Sequence, residues 1–563
     1  MRLLVLTAVL AQAAAPAHAS QEHPGGQVEG DHVHEQPASA GAAVPLYDGM
    51  GAHHLTITTT ERLAQRYFDQ GLALTFGFNH AEAIRSYEAA AELDPTCAMC
   101  QWGIAFALGP NINGGMDHES GLAAHAAITR ALTLAGSASD LERGLIEALA
   151  ERYASDPEHE RAGLNEAYAA AMRDVAARFG DDANVAVLAA DALMNLTPWD
   201  YWLDGATLRP HAMQAEALLE RAMALASDNA GACHMFVHLM EERQPDRAVD
   251  CAEKLPSLMP GVGHIVHMPG HIYIRVGRYV DAMQANVHAV HADEMVLADQ
   301  SPDGAYALAY YPHNYHFMWF AANMAGAAEG SLHAARQTAA KVDRDLVRTP
   351  GMEALQHYLV TPLYALVRFG RWREILAEPA PPSDLTYPTA VSHYARALAF
   401  TALEDLPAAD AQLTRLRELA RDPALEGQLI WDLNPMSTLL AIAADVVSGE
   451  MAARKGEFDA ALEHLERALA AEATLAYDEP PTWHLPVRHN LGAVLLEAGR
   501  AAEAEAVYRA DLEIFRENGW ALAGLSEALR AQGRTQEAGA VDGRLRAAWR
   551  AADTRPDGSR FAR

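Results

Sequence analysis

The sequence predicts an all-α chain built as an array of repeated helical hairpins, a superhelix of the α-solenoid kind. Three observations lead there. Its 563 residues exceed the roughly 100–200 that one hydrophobic core serves, so the chain is multidomain or an extended array. From Glu61 onward, Ala/Leu/Glu/Arg stretches with apolar residues three and four apart alternate with Gly-containing or Asp-Pro turns, and few strand-like alternations occur. Small residues and aromatics also recur at fixed offsets along the chain.

Composition narrows the classes. Half the residues are apolar and 21% are charged, which excludes a disordered chain. The formal net charge of −31 repels phosphate backbones and excludes general nucleic-acid binding. Four cysteines are too few for a disulfide scaffold of this size.

In chain order, Met1–Ala19 reads as a secretory signal. Arg2 is the basic start, Leu3–Leu10 the apolar core, and Ala17-His18-Ala19 the cleavage pattern. The expected location is therefore periplasmic or extracellular. No later run of about 18 apolar residues is seen, so no membrane span is expected. Residues 20–46, rich in Gly, Pro, Ala and Glu, read as a disordered leader that carries His23, His32 and His34.

The array itself starts near residue 47. Gly71, Ala83, Tyr87, Ala90 and Pro95 set a pattern of offsets. Gly449, Ala461, Leu465 and Ala468 repeat its first four members, and Gly492, Ala504 and Tyr508 its first three. Gly499 and Gly533 stand 34 residues apart, as do Ala504 and Ala538. The segment Gly270…Ala282…Ala289 fits the same register. This resembles the tetratricopeptide repeat (TPR), a helix–turn–helix unit of about 34 residues. The resemblance implies a curved superhelix with a concave groove that takes an extended peptide or a partner protein. The Pro-rich stretch Glu378–Ser383 suggests a boundary. Residues 47–380 are then a degenerate TPR-like array with a central histidine cluster, and residues 381–563 a C-terminal TPR array.

Histidine is the unusual residue. Of 26, 11 fall between His211 and His333. Three motifs stand out: His234-Met-Phe-Val-His238-Leu-Met-Glu241, His264-Ile-Val-His267-Met-Pro-Gly-His271, and His313-Asn-Tyr-His316. At about 100° per residue, each set shares one helix face. In the TPR register His264, His267 and His271 take groove-facing positions of one unit. His234, His238 and Glu241 take such positions in the unit before, and His313 and His316 in the unit after. These eight residues are the expected metal ligands, with Glu241 serving as ligand or as catalytic base. Pro269 makes His264 the least secure of them, because a helix starting at the proline would leave His264 in a loop. Clustered imidazoles would repel on protonation near their ordinary pKa of about 6.5, and a divalent cation removes that penalty.

Imidazoles with a carboxylate suit zinc, copper, iron or nickel, and the ligand number allows two ions. Copper is the first choice over iron and zinc, given export and the histidine content. Met235, Met240, Met268 and Met318 are read as core filler before soft ligands. The H-E-x-x-H zinc-protease pattern is absent. Cys97-Ala-Met-Cys100 reads as a disulfide at a helix start or as a soft-metal pair, and Cys233 as a partner for Cys251 or a soft ligand. Whether His53, His54 and His80 join the central cluster does not follow from spacing.

The motifs Gly77-Phe-Asn-His80, Cys97-Ala-Met-Cys100, His267-Met-Pro-Gly-His-Ile-Tyr and Tyr311-Pro-His-Asn-Tyr-His resemble a group of exported bacterial TPR proteins. That resemblance implies architecture and the linked occurrence of these motifs, and transfers no activity. Three functions compete: a groove metalloprotein, such as a copper- or iron-dependent oxidoreductase; a non-catalytic interaction scaffold; and a metal storage or delivery protein.

Overall fold

The computed structural model describes residues 44–156, 159–298, 304–554 and 558–561. The expected signal Met1–Ala19 and the leader as far as residue 43 lie outside them. Residues 44–46, assigned to the leader by composition, are held on the first helix. There Tyr67 Oη donates to the Val44 carbonyl at 2.7 Å and Gln70 Nε2 to the Pro45 carbonyl at 2.9 Å.

The described chain is a succession of antiparallel helical hairpins, from Arg62–Phe76 with His80–Leu93 to Gly519–Ala531 with Thr535–Ala548. One two-residue hairpin, Leu429–Ile430 with Asn434–Pro435, is the only named sheet among the described residues. The recurrent glycines are there for close approach. A Cβ on Gly71 would lie 2.7 Å from the Tyr87 ring, and one on Gly103 2.5 Å from the same ring. The tyrosine thus fills a slot between two successive units. Gly492 and Gly524 grip Tyr508 in the same way, at 2.4 and 2.2 Å. This is the packing that the fixed offsets encode, and it confirms the all-α hairpin solenoid.

One disulfide closes a helix start and a second staples a hairpin. Cys97 joins Cys100 at the start of the helix Ala98–Leu108, and Cys233 joins Cys251 between the helices Ala230–Met240 and Val249–Leu258. Neither pair is left with thiols for a soft metal.

The two arrays drawn at residue 380 touch at several places. Trp520 Nε1 donates to the Asn323 carbonyl at 2.7 Å, and Trp549 Nε1 to the Met324 carbonyl at 3.1 Å. Asp553 accepts from the backbone N–H groups of Ala328 and Glu329, which caps the helix Ala328–Ala340. The C-terminal units therefore lie back on the central ones. The helix Met436–Arg454 is the one described helix long and apolar enough to cross a membrane, and 67% of that apolar stretch is packed inside the chain.

Candidate metal centre

Four helices and the loop that carries Glu479 build the centre. Asn229 caps the helix Ala230–Met240 by accepting from the Ala232 N–H at 2.9 Å. That helix carries His234 and His238 one turn apart and ends at Glu241. Next come Gly263–His267 and Pro269–Arg275, two short helices that meet at Met268. The missing N–H of Pro269 falls at a helix start, where it costs no hydrogen bond. His264 and His267 stand on the first piece and His271 on the second, so His264 is helical and not in a loop. Finally, a π-helical turn, Tyr306–Tyr310, leads into the helix Tyr311–Ala325 that carries His313. Such turns re-aim side chains and recur at functional sites.

The ligand atoms fall into three sets, each with all members within 4.8 Å of one another: His234, His238 and His264; His267, His271 and His313; and Glu241, His271 and Glu479. Two nitrogen ligands on one tetrahedral ion stand about 3.3 Å apart, so the spacing suits metal ions. His271 belongs to two sets. Its Nδ1 lies 2.9 Å from Glu479 Oε2 and 3.3 Å from Glu241 Oε2, while its Nε2 lies 2.8 Å from His267 Nε2. In the first set, His234 Nε2 and His264 Nε2 are 3.1 Å apart.

Proton positions follow from the partners. Asn286 Nδ2 donates to the Ala282 carbonyl, so its Oδ1 accepts from His267 Nδ1 at 2.7 Å. This fixes the tautomer of His267 and leaves a lone pair on Nε2. Without metal, His267, His271 and Glu479 satisfy one another if Glu479 keeps its proton for His271 Nδ1, and His271 Nε2–H donates to His267. His267 and His271 would hold a cation through these nitrogens, in place of the proton shared between them.

Burial sets the charge states. Desolvation lowers His234 and His271 to about 3 and holds His238, His264, His267 and His313 well below the ordinary imidazole value. The imidazoles are thus neutral and ligand-competent at pH 7, and the expected repulsion between protonated rings does not arise. Burial also raises Glu241 well above the carboxylate range and Glu479 to about 8. Arg275, 3.7 Å from Glu479, opposes the rise. Neither nitrogen of His238 and neither oxygen of Glu241 has a hydrogen-bond partner, and all four are buried. A buried polar atom without a partner costs about 1–3 kcal/mol, and coordination removes that cost.

A supporting layer holds the ligands in place. The His264 N–H donates to Tyr306 Oη at 3.0 Å, and Tyr306 Oη donates to Asp293 at 2.7 Å. Asp293 also accepts from Asn314 at 2.7 Å, and burial raises its carboxyl to about 7. It packs so tightly on Gly263 that a Cβ there would stand 1.8 Å from its Oδ1.

Of the eight expected ligands, seven enter the three sets. His316 does not. It stacks on Trp319 at 4.8 Å and faces His357 at 5.7 Å. His313 and His316 are 60° apart around the helix, and at this crossing that angle turns His316 toward the next unit. His53, His54 and His80 also stay out: His53 packs on Phe76, His54 pairs with Asp69, and His80 lies beside Phe78. Met235, Met240 and Met268 are in the hydrophobic core, as expected of filler. His234, Glu241 and His267 are fully buried. One side of the centre borders a cavity of about 1320 Å³, to which His238, Glu241, His264, His271, His313 and Glu479 contribute.

Sequence reasoning missed Glu479, Asn286 and Phe78. Phe78 packs at 4.9 Å from both His234 and His264. Its motif with His80 was noted, but its place at the centre needs chain closure. Nothing near Glu479 sets it apart from the other acidic residues in the sequence.

No family model matches the chain, and no curated protein matches it. Solved structures similar to it include the human IFIT1 dimer with m7Gppp-AAAA, at 11% identity over 88% of this chain and 92% of that one, TM-score 0.28. Yeast Tom70 is similar at 13% identity over 88% and 93%, TM-score 0.25. So is Naa15/Naa10 bound to HypK-THB, at 12% over 86% and 71%, TM-score 0.23. Likeness at this level carries nothing about ligands, and the solenoid is read from the chain's own hairpins.

Proposed function

We propose that the protein is an exported TPR-like metalloprotein that holds two ions in this His/Glu centre, and that it works as a copper-dependent oxidoreductase. The observation that carries the reading is the arrangement around His271, where buried, neutral imidazoles and unpartnered carboxylate oxygens converge from four helices and one distant loop. Imidazole-dominated donors rank Cu²⁺ highest among first-row divalent ions, ahead of iron and zinc. Copper would supply one-electron and oxygen chemistry. The protein would supply ligand orientation through Asn286 and Tyr306, and a base in Glu241. Export rests on the Met1–Ala19 pattern and fits the two disulfides, which persist in oxidising compartments. Membership of the exported, His-motif TPR group is part of the same proposal.

Elemental analysis tests it, on protein recovered from the exported fraction of cells supplied with copper, iron and zinc. Two ions per chain, copper foremost, with oxygen-dependent turnover are expected. The N-terminal sequence of that protein should begin after Ala19. Readily exchanged metal without turnover would support storage or delivery. A metal-free chain would support the second reading, a non-catalytic scaffold, which the size of the cavity favours as a seat for a peptide or protein segment.

A further inference from the structure

The cavity beside the centre has a chemistry of its own. Nine of its described lining residues carry carboxylates, and one, Arg243, a fixed positive charge. Arg243 is already paired with Glu242 at 2.7 Å. Several of the acids are also engaged: Asp200 by Arg209, Asp204 by its own loop, and Asp478 by Thr482. Glu353 and Asp432 differ. Both are half-buried, Glu353 accepts from the Gly351 N–H of its own turn at 2.7 Å, and no described Lys or Arg forms an ion pair with either. The Asp432 carboxyl is pushed up first by burial and then by the charge of Glu353, so the two acids feel each other.

The aromatic wall is the second observation. Trp199, Trp202, Tyr310, Tyr358, Trp431 and Tyr477 line the same space. Trp431 and Tyr358 meet with ring centroids 4.9 Å apart, and they line the same cavity as Glu353 and Asp432. Trp431 and Asp432 also occupy the turn of the small hairpin, where the Leu433 N–H donates to the Ile430 carbonyl at 2.9 Å. Their φ values are 51° and 57°, a region that favours Asn and Gly at such turns. Trp199, at φ 63°, is strained in the same sense at another part of the wall. Left-handed backbone at a bulky residue costs of order 1–3 kcal/mol and persists where the surroundings fix it, commonly at ligand sites. Three such residues on one cavity are hard to account for by packing alone, because Trp199 and Trp431 are only half-buried.

We propose that this cavity binds a small organic cation, its ammonium group held by Glu353 and Asp432 over Trp431 and Tyr358, and its apolar body directed along the aromatic wall toward His238 and Glu241. A desolvated ammonium over an indole face between two carboxylates combines cation–π attraction with charge pairing. A carboxylate or phosphate ligand meets repulsion from the same groups. The identification of this molecule as a substrate rests on the metalloprotein reading; its binding does not.

The test uses the metal-free full chain and three probes of one shape: phenethylamine, 2-phenylethanol and 3-phenylpropionate. Tryptophan fluorescence and calorimetry at pH 7 should show phenethylamine binding at least tenfold tighter than the neutral alcohol, with no binding of the acid. Glu353→Gln with Asp432→Asn should lose at least tenfold for phenethylamine and leave the alcohol unchanged. Trp431→Ala should weaken both, and Trp431→Phe should recover most of the loss. Circular dichroism confirms that each variant is folded. Equal binding of all three probes, no binding of any, or an unchanged affinity in the double acid variant overturns the proposal. So does a double acid variant that only slows copper loading, because the acids would then be a route for the metal. The metal content of the same variants, expected to equal wild type, separates failure of this proposal from failure of the metal centre.

Discussion

His271 Nδ1 lies 2.9 Å from Glu479 Oε2 across 208 residues of chain. The carboxylate orients the imidazole, completes one of the three donor sets, and comes from a segment with no histidine pattern of its own. Second-shell and ligand carboxylates of this kind are worth about 10–100-fold in metal affinity. Glu479→Gln should therefore weaken metal binding by that factor in a chelator competition. Glu404→Gln, at an exposed turn, should leave it unchanged.

His267→Ala combined with His271→Ala should remove the two sets that share His271 while helical content stays near wild type. Elemental analysis should find at most one ion per chain, held by His234, His238 and His264. The fold survives because its stability is spread over many inter-unit interfaces. His464→Ala is the matched control, since that ring pairs with Asp445 at the surface. His489 would be a poor control, being buried between Asp511 at 3.0 Å and Arg368 at 3.2 Å. Full metal content in the double variant would remove His271 from the centre.

Metal binding should release protons at pH 7. Glu479, raised to about 8, holds a proton in the metal-free protein and must give it up when His271 turns to a cation. Calorimetric titration in buffers of different ionisation enthalpy should return at least one proton released for the two ions. A value of zero would show that the carboxylates are already ionised.

Without metal, acid should unfold the protein early. His234 and His271 fall to about 3 in the folded state against about 6.5 unfolded, so between those values the unfolded chain binds more protons and stability rises with pH. That contribution begins to be lost as pH drops below about 6.5. Glu241 and Glu479 act the other way, their raised folded values adding stability that fades as pH rises toward 8. The lowered imidazoles outnumber them, and each costs about 1.4 kcal/mol per pH unit in its window. The chelator-treated protein should therefore lose thermal stability steeply from pH 6.5 to 5, and bound metal should flatten the profile. A flat profile without metal would mean that the rings are not buried in solution.

The fold was legible because its signals are short-range. Gly71 and Tyr87, or Gly492 and Tyr508, meet within one hairpin, so their spacing is fixed by helix geometry and survives as a countable offset. His234 with His238, and His267 with His271, were legible for the same reason. His316 lies outside the three sets because sharing a helix face to within 60° does not say which neighbour the face meets. Glu479 and Phe78 could not be read at all, since each reaches the centre through the path of the whole superhelix. The role of Asn286 was equally hidden, because an amide that sets a tautomer looks in sequence like any other helical asparagine.

The return of the C-terminal units onto the central ones, through Trp520, Trp549 and Asp553, also limits how this chain can change. An open array tolerates an added or deleted hairpin, which merely lengthens or shortens it. Here a duplication between residues 326 and 478 would swing Glu479 away from His271 and pull Trp520 off Asn323 at once. The number of repeats between the two halves is therefore fixed by the centre they enclose, and growth of the array is confined to its far ends.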